Sequence, residues 1–171
     1  MKVGLAAMCT VCLLMAGEAR ASLLWDWSYS ATGAVGSGTF TTTSTPDVNG
    51  YYLITGITGT ADGSSITSLT PPGTAIPGNA GYPVDDLVSL TGPQLTDNGF
   101  GFGTASGEYA NPYDSQSGTS YVFIPNSPYT NGGSYEPQVN FSATLVPEPG
   151  SALLILAGLA GVVRWRRRAS A

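Results

Sequence analysis

Gln138-Val139-Asn140-Phe141-Ser142-Ala143-Thr144-Leu145 alternates polar and apolar side chains without a break. Successive side chains of a β-strand point to opposite faces, so Val139, Phe141, Ala143 and Leu145 share one face. One apolar face and one polar face describe a half-buried antiparallel strand. Near the other end of the same region, Trp25, Trp27 and Tyr29 alternate with Asp26, Ser28 and Ser30, again with a period of two. This pattern predicts that the three aromatics lie in the core.

Between these segments the chain reads as short strands separated by turns. Gly38 to Ser44 is Thr-rich and stops at Pro46. Asn49-Gly50 signals a turn, and Tyr51 to Thr60 follows it. Asp62-Gly63 marks the next turn and Ser64 to Leu69 the next strand, which predicts a hairpin over 51–69. Four prolines within 70–84 predict an irregular loop. Asp85 to Leu90, Gly99 to Ala105 and Thr119 to Ile124 are further strand candidates, whereas 107–117 reads as turn-rich and 126–133 as loop. No 3.6-residue periodicity occurs outside the termini. The expected body is all-β: an antiparallel sandwich or barrel-like fold of about eight strands.

Charge is distributed unevenly. All six basic residues lie near the ends, both cysteines (Cys9 and Cys12) lie in the first segment, and the chain has no His. Ser22 to Val146 therefore contains no Lys, Arg, His or Cys. Of the 11 acidic residues only Glu18 and Glu148 fall outside that stretch, which leaves it a formal charge of −9. Without cations such a body cannot neutralise phosphates, which speaks against nucleic-acid binding. Nucleophilic Ser–His, Cys–His or Ser–Lys chemistry has no base. Zinc would have to be held by carboxylates alone, against its preference for His and Cys. No disulfide can form, so stability has to come from packing and backbone hydrogen bonds.

The ends read as targeting segments. Residues 1–21 combine Lys2, an apolar core from Val3 to Ala16, and Ala19-Arg20-Ala21, the features of a secretory signal helix cleaved between Ala21 and Ser22. At the other end, Val146-Pro147-Glu148-Pro149 precedes Gly150 and Ser151, then an apolar run from Ala152 to Val163, then Arg164-Trp165-Arg166-Arg167-Arg168. The run is a short transmembrane helix candidate, below the ~20 residues of an ordinary span. Its arginines form a basic stop that favours the cytoplasmic side. The prolines keep its approach extended.

Pro147-Glu148-Pro149, the short Leu/Gly/Ala helix and the Arg cluster together resemble the PEP-CTERM sorting domain. That resemblance implies recognition by exosortase, a membrane-embedded cysteine peptidase of Gram-negative bacteria that make exopolysaccharide. It also implies processing near Pro-Glu-Pro, transient anchoring in the inner membrane with the C-terminus cytoplasmic, and delivery to the cell surface or beyond. The expected organisation is a signal peptide (1–21), an all-β extracytoplasmic body (22–145) and a sorting segment (146–171).

Within the body, carboxylates are the remaining strong acids, so the standard enzymatic option is a paired-carboxylate glycosidase built from Asp85-Asp86, Asp97 or Glu108. Against it, Asp62 and Asp97 occupy Asp-Gly and Asp-Asn-Gly turns, where the side chain caps backbone amides. Calcium takes oxygen ligands, and Asp85, Asp86, Asp97 and Asn98 are the candidate set, although no EF-hand spacing is present. Tyr109, Tyr113, Tyr129 and Tyr135, read as loop residues, are the aromatics expected to be exposed to a glycan. The reading favoured by the sequence is a non-enzymatic surface or matrix protein, structural or adhesive within exopolysaccharide. A calcium- or glycan-binding module is the alternative, and a small glycosidase is the remote one.

Overall fold

The computed structural model describes residues 22–147. The expected signal helix and C-terminal transmembrane helix lie outside them, and no helix among the described residues is long and apolar enough to cross a membrane. Nine strands form the body: β1 (Leu23–Ala31), β2 (Ala34–Thr42), β3 (Tyr51–Ala61), β4 (Ser64–Leu69), β5 (Leu87–Ser89), β6 (Phe102–Thr104), β7 (Tyr109–Asp114), β8 (Ser120–Phe123) and β9 (Asn140–Leu145). All pairings between them are antiparallel, in the order β8-β7-β6-β4-β3-β2-β1-β9, with β5 added beside β3.

The sheet nearly closes on itself. Just before β9, Val139 N–H donates to Ser120 O (2.9 Å), and Ile124 and Tyr135 exchange two backbone bonds (2.8 and 2.9 Å). The sheet ends are thus tied together, leaving little unpaired edge to recruit other strands. Of the two architectures expected from sequence, the barrel-like one is found.

The inward face follows the period of two. Trp25, Trp27 and Tyr29 on β1 are all buried, and Trp27 pairs in register with Ala143 of β9 and Gly38 of β2. Phe40, Phe100, Phe102, Val88, Leu95 and Val122 complete the core. Of the hairpin expected over 51–69 the turn forms, with Asp62 and Gly63 both at positive φ (49° and 80°). β3 and β4 pair only beside it, Thr60 with Ser65 and Ala61 with Ser64, while Ile66–Leu69 pairs with β6. Asp62 also accepts a bond from Val35 N–H (2.9 Å), the capping role assigned to it. The 11-residue β3 has two partners on one side, β4 at Thr60–Ala61 and β5 at Tyr51–Leu53. The proline-rich loop holds no strand, and 126–133 contains one 3₁₀ turn, Pro128–Thr130.

Two expectations are corrected. Residues 109–114, read as turn-rich, form β7, so Tyr109 and Tyr113 are strand residues. The misreading stems from Asn111-Pro112 and Asp114, polar or strand-breaking types that the fold nevertheless buries. Asn111 is accommodated because its amide donates to Asn98 O and Phe100 O (both 3.0 Å), while Pro112 O accepts from Phe100 N (3.1 Å). The strands predicted over 85–90 and 99–105 are cut to three residues each. Asp85 and Asp86 instead turn both amides onto Gly99 O (3.1 and 2.9 Å), tying one connection to the other.

The strand ends define two ends of the barrel. Leu23, Thr42, Tyr51 and Leu145 lie at the end where the chain departs toward the sorting segment, the exit end. The turns at Gly33 and Asp62-Gly63 lie at the far end, where the Tyr129 ring packs on Gly33.

A polar, cation-free cleft as candidate functional site

Several separate segments, among them Phe123 of β8, enclose a cleft of about 640 Å³. Asn111 and Tyr113 come from β7, Asn79 and Tyr82 from the proline-rich loop, Asp97 and Asn98 from the turn after β5, and Glu136 from the approach to β9. The turn is held from below. Thr96 Oγ1 lies 2.7 Å from both oxygens of Asp85 and accepts from Gly99 N–H at 3.0 Å, and Asn98 Nδ2 reaches Asp85 at 3.5 Å. Gly99 has φ +58°, and a Cβ there would meet Pro112 O at 1.9 Å, so glycine lets this turn lie directly on β7.

Tyr113 stacks on Tyr121 (5.8 Å between centroids, 21°) and donates its hydroxyl to Glu136 Oε1 at 2.8 Å. Burial, reinforced by that bond, pushes the Tyr113 hydroxyl well above the ordinary phenol range, so it acts as a neutral donor. Tyr82 stands at the rim, 68% exposed. The lining thus offers aromatic faces, amides and carboxylates, and no cation occurs anywhere in residues 22–146. Such a surface suits a neutral, hydroxyl-rich ligand: carboxylates accept from hydroxyls, amides both donate and accept, and rings cover apolar C–H faces.

The four calcium candidates are separated by the fold. Asp97 and Asn98 line the cleft, and Asp85 lies behind them, bonded to Thr96. Asp86 is fully buried with φ +57°, its amide on Gly99 O and its carbonyl accepting from Ile54 N (2.7 Å). Among the described residues no three acidic, His or Cys side chains gather into a metal-binding group. Burial raises Asp85 above the ordinary carboxylate range, and the Thr96 hydroxyl opposes that shift. Glu108 lines a different, smaller depression with Asp62, Gly33 and Tyr129.

Of the four tyrosines expected to face solvent, Tyr129 is largely exposed and Tyr113 lines the cleft. Tyr109 and Tyr135 are half-buried, and Tyr135 gives its hydroxyl to Thr32 O (2.7 Å). Sequence reasoning did not single out Tyr82, Asn79, Asn111 or Glu136. An aromatic between Gly81 and Pro83 in a strand-free loop was the available signal for Tyr82.

Beyond the cleft, Leu145 ends β9, Val146 N–H still donates to Leu24 O (2.8 Å), and Pro147 is exposed. Residues 145–168 match the PEP-CTERM protein-sorting motif. The match contains Pro147, Glu148 and Pro149 and the arginines at 164, 166, 167 and 168, the residues that carried the resemblance. No curated protein and no solved structure matches the chain.

Proposed function

We propose that this chain is an exported, exosortase-processed protein of the cell surface or extracellular matrix of a Gram-negative bacterium, and that its body acts by adhesion rather than catalysis. The observation that carries the reading is the sorting motif, which begins at the last residue of the last strand. The cation-free cleft supports an adhesive role in which neutral stretches of exopolysaccharide lie against Tyr82 and Tyr113 and hydrogen-bond to Asp97, Asn98 and Glu136.

Replacing Pro147, Glu148 and Pro149 together by alanine should leave full-length chain in the inner membrane. Mass spectrometry of membrane and surface fractions checks this, and wild-type processing and location in that variant would refute sorting through the motif. For the cleft, Tyr82→Ala should weaken binding of isolated neutral exopolysaccharide about tenfold, the loss of one ring contact worth ~1.4 kcal/mol. Calorimetry measures this, and because no cation contributes, affinity should hardly change with salt. Equal affinity in the variant would count against the cleft.

Calcium is a second reading, supported by the oxygen donors Asp97, Asn98 and Glu136 in one cleft. A melting temperature that climbs with added calcium in the wild type, but not in Asp97→Asn, would favour it.

A further inference from the structure

We infer that the exit end of the barrel is a lipid-facing surface that rests on the bilayer while the chain is held by its sorting segment. The inference rests on the proposed sorting reading, in which the apolar run 152–163 is membrane-held. Residues 146–151 are the whole connection between β9 and that run, and six extended residues span at most ~20 Å. The nine residues of β1 span roughly 30 Å, so the far end stands well away while the exit end stays beside the headgroups.

The surface of that end fits such contact. Leu24, Val48, Leu53, Leu90 and Leu145 are all exposed, and each belongs to the exit end by register or by turn position. Val48 is completely uncovered at the tip of the β2–β3 turn, and Leu90 follows Ser89, the partner of Tyr51. Of the other exposed large apolar residues described, Val35 and Tyr129 lie at the far end and Tyr82 at the rim of the cleft. Uncovered apolar side chains concentrated at one end mark an interaction surface. Asp47, the carboxylate of the β2–β3 turn, is bonded to Asn49 and Tyr51 amides (both 2.9 Å). With no cation in residues 22–146 and a formal charge of −9, attraction to anionic headgroups is excluded, and contact has to be apolar.

The test uses the chain from Ser22 onward, as signal cleavage leaves it and without any cysteine, reconstituted in phosphatidylcholine vesicles with no other protein present. Single cysteines at Val48, Leu90, Val35, Tyr129 and Ser170 receive an environment-sensitive fluorophore, and quenching by lipids spin-labelled at the headgroup is recorded. The expected result is several-fold stronger quenching and a blue-shifted emission at V48C and L90C relative to V35C and Y129C, unchanged at high salt. Equal quenching at the two ends, with the S170C probe shielded from an aqueous quencher, overturns the lipid-facing end alone. An aqueous-exposed S170C probe and no vesicle binding overturn the membrane-held reading together with this inference.

Discussion

Trp27→Ala is expected to lower the unfolding free energy by about 3–5 kcal/mol, the range for truncating a buried large aromatic. Trp27 links opposite walls of the barrel. Its ring stacks on Phe40 of β2 (5.3 Å, 9°) and on Tyr29 (6.0 Å, 25°), and meets Phe100 edge-on (5.7 Å, 73°) and Phe102 at 6.0 Å. Phe40 and Phe100 meet edge-to-face at 4.9 Å, so removing the indole uncouples a cluster and not a single pair. A domain of this size has a total stability of roughly 5–15 kcal/mol and here has no disulfide to fall back on. Trp27→Phe should cost much less, because the indole Nε1 is buried without a partner and phenylalanine removes that unmet donor while keeping a ring. Urea unfolding of the three proteins measures the difference. An alanine variant as stable as the wild type, or a phenylalanine variant as weak as the alanine one, would contradict the cluster account.

What the sequence revealed and what it hid divide along a physical line. β1 and β9 were legible because each buries one face only, and they are neighbours in the sheet: Trp27 faces Ala143 and Tyr29 faces Phe141. The hairpin at Asp62-Gly63 was legible because two successive left-handed residues require such a dipeptide. β7 was not legible. Its buried residues include Asn111 and Asp114, whose stability depends on partners at 95–100: Asn111 bonds to Asn98 O and Phe100 O, and Asp114 Oδ2 accepts from Leu95 N–H (2.9 Å). Local hydrophobic period cannot register a polar side chain satisfied by a distant backbone.

The cleft was hidden for the same reason. Tyr82, Asp97, Tyr113 and Glu136 come together only once the loop, turn and strand carrying them have packed. Asp97 and Asn98 were identified as a turn and do sit at the site, but their neighbours were grouped by adjacency in the chain. Asp85 and Asp86 are consecutive, yet one supports the turn through Thr96 and the other enters the interior. The sorting segment, by contrast, was readable in full, because it works as a linear arrangement of prolines, apolar residues and arginines and needs no tertiary partner.

Asp86→Asn should flatten the pH dependence of stability and make the protein more stable than the wild type above neutrality. Both Asp86 carboxylate oxygens are buried without a hydrogen-bond partner, so the charged form is strongly disfavoured. Burial raises its pKa to about 7 from the ordinary 3.8; the Gly101 N–H opposes the shift, short of a full hydrogen bond, and the neighbouring Asp85 charge adds to it. Below pH 4 the side chain is protonated in both folded and unfolded chains and stability is unaffected by it. Between pH 4 and 7 the unfolded chain gives up the proton while the native state keeps it, so stability falls as pH rises. Above pH 7 the full cost is reached, on the order of a few kcal/mol. Asparagine tolerates the left-handed φ of +57° at this position and carries no charge, so it removes the dependence without straining the backbone. Near pH 4 the two proteins should unfold at similar urea concentrations, and at pH 8 the variant should require more. A shallow slope of the same sign should persist in the variant, since burial also raises Asp85 and Asp62. Parallel stability curves for the two proteins from pH 4 to 8 would mean that Asp86 does not retain its proton in the native state.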